Sequence, residues 1–294
     1  MIGTYSGTVA QQPSGPSVRR RRLGAELRRI RESAGRQMKE AASLLGCSMG
    51  KISNIEQGRY GVKKQELQAL LSYYEVEPEV CAVLEDLRRE GAKRGWWSVY
   101  GLPDWFKPYV GLESDAASVR SFELELIPGL LQTEAYARQV HVAVTRMVAP
   151  QDVERQVTAR MERQRRLTGP EPLELWAVIS EAAVRRQVGG PEVMIEQLEH
   201  LRTLAAQPNI KIQVLPFSAG AHGSMSGPFS ILSFPEPTDP DVAYIEYPVG
   251  GNCVEEPRDV HRFTILFDDL RYAALSSRDT DTLFGAIVKE LSTS

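Results

Sequence analysis

Small, apolar and turn-forming residues recur through segment 37–58 at the spacing that two short crossing helices require. Ala42 stands where the helices would cross, and Gly46 stands where the turn between them needs a positive φ. Ile52 and Ile55, three residues apart, would anchor the second helix, and Ser48 occupies its N-cap position. Helical stripes surround the pair. Leu23, Leu27, Ile30 and Ala34 precede it and stop at Gly35. After Gly58 come Leu67, Leu70, Leu71 and Tyr74, and after Pro78 come Val80, Val83, Leu84 and Leu87. Five short helices with glycine-punctuated turns are expected over 19–92.

With Ile52 and Ile55 turned inward, Met49, Gly50, Lys51, Ser53 and Asn54 fall on the exposed or N-terminal side of the second helix. In a helix-turn-helix that end enters the major groove. A plain packing hairpin is the alternative. Spacing, flanking helices and charge together favour the first reading: residues 19–64 hold 13 Lys/Arg against 4 Asp/Glu, while the rest of the chain holds 22 against 34, within a net charge of −3. A basic segment on an acidic chain fits a polyanion-binding module, although a solvated helix surface would show the same excess. The run Arg19, Arg20, Arg21 and Arg22 reads either as an arm on phosphates or in the minor groove, or as a solvated helix start.

The segment resembles the phage-repressor (XRE) class of helix-turn-helix, whose reading helix commonly ends in Ile-Glu-x-Gly, as in Ile55-Glu56-Gln57-Gly58. By position, Ser48, Met49, Gly50 and Asn54 match that family's base-reading and capping sites, and Arg59 matches a phosphate contact. Met38 departs from the pattern. Family members often carry Gln or Glu there to touch a phosphate, so the resemblance transfers that task to Gln37 or Arg36. Gly50 removes a side chain from a reading position, which places direct readout on Asn54, able to pair with adenine, and on Lys51.

Residues 1–18, rich in Gly, Ser, Pro and Thr, read as a disordered tail. Residues 88–95 read as a connector, and 93–294 as a second domain of mixed texture. Helices are expected at 114–122, from Thr133 towards 148, and at 150–167, 257–274 and 277–291. Ser180 is expected to cap a further helix, and Pro191 to open another. Period-2 patterns predict strands at 173–179, 210–217, 229–234 and 242–247, with a turn at Gly250-Gly251-Asn252. The fold class expected is mainly α. A five-helix N-terminal domain precedes an α+β C-terminal domain with a helical region and a small, mainly antiparallel sheet.

The C-terminal part is similar to that of the WhiJ-like actinobacterial regulators. The similarity rests on Leu102-Pro103-Asp104-Trp105-Phe106, Ile127-Pro128-Gly129-Leu130-Leu131-Gln132-Thr133, Val214-Leu215-Pro216-Phe217, Gly220-Ala221-His222, Gly227-Pro228-Phe229 and Tyr244-Ile245-Glu246-Tyr247. That resemblance implies a regulatory domain answering to a ligand or to a small partner protein encoded nearby. A second reading makes the chain an antitoxin-like module that sequesters that partner, with DNA binding for autoregulation. Either way the expected nucleic-acid partner is double-stranded DNA, bound as a palindromic operator by a homodimer.

Chemistry is poorly represented. Three scattered cysteines (Cys47, Cys81, Cys253) and four scattered histidines carry no metal-ligand spacing, so no metal and no cofactor are expected. Ser218 to Ser224 is a loop with Ser and His close together, and a flexible connection explains it as well as catalysis does, so no catalytic residues are expected. Trp96, Trp97, Trp105 and Phe106 read as a packing group or the lining of a pocket. No stretch approaches the ~18 apolar residues of a membrane helix, and no secretory signal is evident, so a cytoplasmic protein is expected.

Overall fold

A computed structural model describes residues 18–93, 95–143, 150–236 and 239–293. The chain divides into two compact units, Met1–Arg94 and Gly95–Ser294. The expected tail lies outside the described residues except for Val18, which is helical and buried.

Five helices make the N-terminal unit: α1 (Val18–Ser33), α2 (Met38–Leu44), α3 (Met49–Glu56), α4 (Lys64–Tyr73) and α5 (Pro78–Gly91). Their apolar stripes meet in two adjoining cores. Leu23, Leu27, Ile55, Val62, Leu67, Leu71 and Leu84 form one, and Ala41, Ala42, Ile52, Leu70 and Tyr74 form the other. Each fully buried Leu or Ile contributes about 1.5–3 kcal/mol by leaving water, which outweighs the weak intrinsic stability of seven- and eight-residue helices. Residues 88–91, expected in a connector, continue α5. Arg88 and Arg89 in its last turn suit the negative helix end, and Arg88 pairs with Glu85 one turn back at 2.8 Å.

In the C-terminal unit one six-stranded mixed sheet carries the strand order β3-β2-β1-β4-β5-β6. The strands are β1 (Ser118–Glu123), β2 (Glu174–Ser180), β3 (Ile210–Leu215), β4 (Phe229–Ser233), β5 (Val242–Tyr247) and β6 (Gly250–Val254). Three of the five pairings are antiparallel, and β1–β2 and β2–β3 are parallel. Parallel neighbours need long crossovers. These contain α7 (Glu134–Ala143) and α8 (Pro150–Gln164) between β1 and β2, then α9 (Glu181–Arg185) and α10 (Pro191–Ala205) between β2 and β3. One sheet face carries Phe122, Val178, Leu215, Phe229 and Ala243 against Phe267 and Leu270 of α11 (Pro257–Ala273), and α12 (Ser277–Ser292) closes the unit.

Two further expectations are corrected. Residues 114–122 are not one helix: α6 (Lys107–Asp115) ends before them and β1 begins at Ser118. Val119 and Phe122 are three apart and imitate a helical stripe, but β1 lies between β2 and β4 with Val119, Ser121 and Phe122 all buried, so alternation is lost. Gly250-Gly251-Asn252 is strand, the first part of β6 paired to β5, and not a free-standing turn. The aromatic group packs within its own unit on and before α6: Phe106 stacks on Tyr109 at 5.5 Å, and Trp96 Nε1 donates to Ser114 Oγ at 3.2 Å.

Candidate nucleic-acid interface

The geometry of α2 and α3 follows from local chemistry. Glu40 Oε2 accepts the backbone N–H of Gln37 at 2.7 Å and so fixes the start of α2. Gly46 turns the chain at φ 60°. Ser48 Oγ then accepts from the N–H of Lys51 at 3.2 Å and caps α3. Ala41 and Ala42 are buried against Ile52, so the two helices approach closely and α3 keeps its other side in water.

That outward side carries Ser48, Met49 and Gly50, all exposed, followed by Ser53 and Asn54, half-buried. Met49 is 54% exposed, far outside any core. Among the described residues the Asn54 side-chain amide holds no hydrogen bond, while its backbone carbonyl accepts from Arg59 and Tyr60 at 2.8 and 3.1 Å and shapes the chain after α3. Ser53 Oγ accepts from Gln57 Nε2 at 3.1 Å. Arg59 is exposed just beyond the helix.

Not every sequence-predicted residue joins that face. Lys51 is turned to α4, where its Nζ meets Glu66 Oε1 at 2.6 Å, and that partner raises its pKa. Arg36 lies over the Tyr73 ring at 4.5 Å and reaches Glu75 at 3.9 Å, whereas Gln37 stays exposed at the N-terminus of α2. Arg19, Arg20, Arg21 and Arg22 form the first turn of α1 and not an extended arm. Arg19 is exposed and the other three are half-buried, with the backbone of Arg20 and Arg21 against Gly58.

Motif reading alone did not reveal what happens to the carboxylates. Glu56, the one acid in α3, is buried, and Arg31 grips it from α1 with Nε–Oε1 at 2.6 Å and Nη2–Oε2 at 3.0 Å. The same guanidinium donates to the carbonyl of Arg36 at 3.0 Å. Hydrogen bonding to Glu56 raises the pKa of Arg31, and burial, with Glu56 nearby, pushes the Tyr74 hydroxyl up to about 12. Glu66 is neutralised by Lys51. Among the described residues the outward side of α3 therefore carries no carboxylate of its own, and exposed Lys39, Glu40, Arg59, Lys63 and Lys64 lie nearby in the sequence. Position Arg31 sits on the inward stripe of α1 at i+4 from Leu27, which is the signal that exposes it as an internal partner.

Elsewhere the Ser/His loop is not arranged as a nucleophile and base. Ser224 Oγ donates to the carbonyl of Gly227 at 2.7 Å, and His222 Nδ1 accepts the Ser224 backbone N–H at 3.3 Å. Among the described residues no group of three metal-ligating side chains converges, and no helix is long and apolar enough to cross a membrane.

Two family profiles match the chain. One, described as a helix-turn-helix domain, covers residues 22–84, and the other, described as a domain of unknown function (DUF5753), covers residues 106–285. No curated protein matches it.

Proposed function

The chain belongs to the DUF5753 family and carries a helix-turn-helix domain ahead of that segment, and from this premise we propose that it is a transcriptional regulator that recognises specific double-stranded DNA sequences through α3. The observation that carries the proposal is the side of α3 bearing Met49, Gly50, Ser53 and Asn54. It is open to solvent and free of carboxylates, and its amide at Asn54 is unused within the described residues.

In this reading the Asn54 amide pairs with an adenine edge and Met49 touches a thymine methyl. The close approach at Gly50 brings the backbone towards the groove. Arg59, Gln37 and the N–H groups at the start of α3 hold phosphates, and Arg19 adds a salt-dependent contribution. Ser48 serves as the cap. Lys51 acts through Glu66, compensating the charge of that carboxylate beside the groove, in place of the base contact expected from its position. The resemblance to phage-repressor and WhiJ-like regulators supports the same assignment.

One such helix spans only a few base pairs, so two copies on a two-fold operator are proposed, with the C-terminal unit as the part that dimerises and responds to a ligand or small partner. A change in spacing between two reading helices would then switch affinity. Enrichment of DNA from a randomised pool by the full chain tests the proposal. A recurrent two-fold motif from the wild type, lost with Asn54→Ala, supports it. Equal recovery of all sequences at low salt overturns it.

A further inference from the structure

A second set of polar groups, unused by the interface above, converges in the C-terminal unit. On β1, Ser121 and Glu123 are two residues apart and share a sheet face, as Tyr244 and Glu246 do on β5. The register aligns Ser121 with Ser230 and Ser230 with Tyr244, so all of them occupy the face opposite the one bearing Phe122, Phe229 and Ala243. Glu123 and Glu246 therefore stand at the same end of that face, on strands flanking β4. The Tyr244 hydroxyl lies so close over Gly251 that a Cβ there would come within 2.0 Å of it, and Gly251 is the residue paired with Glu246.

Two guanidinium groups of α8 approach the same region. Beside Gly129, a Cβ would meet Arg163 Nη1 at 3.4 Å and Arg160 Nε at 3.7 Å. Arg163 is fully engaged: Glu113 takes it at 2.7 Å on each oxygen, and it lies over the ring of Tyr109, which in turn sits 4.5 Å from the ring of Tyr244. Arg160 is not. Among the described residues it makes one hydrogen bond, to Gln132 Oε1 at 2.6 Å, and no ion pair.

Folded proteins leave few buried polar groups unpaired. Here, among the described residues, the hydroxyl groups of Ser121 (3% exposed) and Tyr244 (4% exposed) make no hydrogen bond, nor does Nε2 of His141 on α7. Glu123 and Glu246 hold neither a hydrogen bond nor an ion pair among the described residues. Residue Glu123 is half-buried and Glu246 exposed, yet desolvation by the surrounding protein raises both carboxyl groups, Glu123 to about 8 with Glu246 adding to the shift and Arg160 and Arg163 opposing it. That combination belongs to groups lining a recess, wet on one side and ringed by protein on the others. Burial, with Arg160 and Arg163 nearby, holds His141 down at about 3, so it is neutral.

With Glu113 and Arg163 cancelling each other, the groups left over among the described residues are two carboxyl groups, one guanidinium, two hydroxyls and a neutral imidazole. We propose that this recess binds a small zwitterion of the amino-acid type, its ammonium group between Glu123 and Glu246 and its carboxylate on Arg160, with Tyr244 and Ser121 completing the hydrogen bonds. An ammonium group suits two carboxyl groups that hold no ion pair among the described residues, and on binding it displaces the proton that burial leaves on Glu123; the fork of Arg160 offers the ligand's carboxylate two parallel donors. The inference deepens the reading of the C-terminal unit as the ligand-responsive part. Its test uses no DNA, so its failure leaves the reading of α3 untouched.

The four tryptophans all lie in this unit, so the thermal midpoint of the full chain followed by tryptophan fluorescence reports on it. The midpoint is measured with each protein α-amino acid at millimolar concentration, and with acetate and methylamine as single halves of the ligand. At least one amino acid is expected to raise the midpoint by about 2 °C or more, and neither half alone to do so. Glu123→Gln and Arg160→Gln should each abolish the rise with far-UV circular dichroism unchanged. Glu246→Gln, at an exposed position, repeats the test should either of those fail to fold. No rise with any amino acid, a rise reproduced by one half, or a rise that survives in the folded variants overturns the assignment.

Discussion

Arg31 on α1 holds both carboxylate oxygens of Glu56 on α3, at 2.6 and 3.0 Å, inside the N-terminal unit. The pair fixes the last turn of α3 to the helix behind it and hides the only acid that α3 possesses. Removing either partner leaves a buried charge uncompensated, at a cost of about 3–5 kcal/mol. Arg31→Ala or Glu56→Ala should therefore accelerate amide hydrogen exchange throughout α1 and α3. Arg31→Met with Glu56→Leu should restore most of the protection, because no lone charge remains. Protection unchanged in the single variants would contradict this role.

Gly46 and Gly58 both adopt positive φ, 60° and 66°, but their surroundings differ. A Cβ on Gly46 meets nothing within 4 Å, whereas one on Gly58 would lie 2.6 Å from the Cα of Arg21. Gly46→Ala should cost only the left-handed penalty of about 1–2 kcal/mol. Gly58→Ala adds a backbone clash that α1 must move to relieve. Urea unfolding by circular dichroism should show the larger loss for Gly58→Ala, and equal losses would refute the close contact.

Lys51 and Arg59 should behave differently towards DNA. Arg59→Ala is expected to weaken binding evenly across sequences and to reduce the slope of log affinity against log salt by about 0.9, the value of one phosphate contact. Lys51→Ala exposes the charge of Glu66, so adding Glu66→Gln should recover affinity. A Lys51 that touched a base directly would show no such recovery and would lose preference at one base pair.

The C-terminal unit should lose stability as pH rises from neutral. Burial, reinforced by Glu246, places the folded pKa of Glu123 at about 8, above its ordinary 4.5. Between those values the folded state keeps a proton that the unfolded state has released, so stability falls with rising pH and the loss levels off once pH has risen through about 8. His141 acts at the other end. Its folded value of about 3 lies below its ordinary 6.5, so its contribution is lost as pH falls below 6.5. The fluorescence midpoint should decline from pH 6.5 to 9 in the wild type, and that decline should flatten in Glu123→Gln.

Local signals were legible and distant ones were not. Ala42, Gly46, Ser48, Ile52 and Ile55 lie within fourteen residues, and the structure gives each the crossing, turn, cap or core position expected of it. The mainly helical class with an α+β C-terminal part was likewise readable from periodicity. Misreadings arose where a long-range partner decides. Strand β1 is buried on both faces by elements far along the chain, and β6 tolerates Gly251 because the ring of Tyr244 covers it. Lys51 turns towards an acid fifteen residues on. The polar recess draws on positions from Glu113 to Glu246, so no window of the sequence contains it.

The most direct test of α3 as the reading element is the affinity of the full chain for its selected DNA site and for every single-base-pair variant of it, measured for the wild type and Asn54→Ala. Asn54→Ala should lose discrimination at one A·T pair per half-site, worth about 1–3 kcal/mol there, and keep it at other positions. A uniform loss at every position, or an unchanged pattern, would contradict direct readout by that side chain.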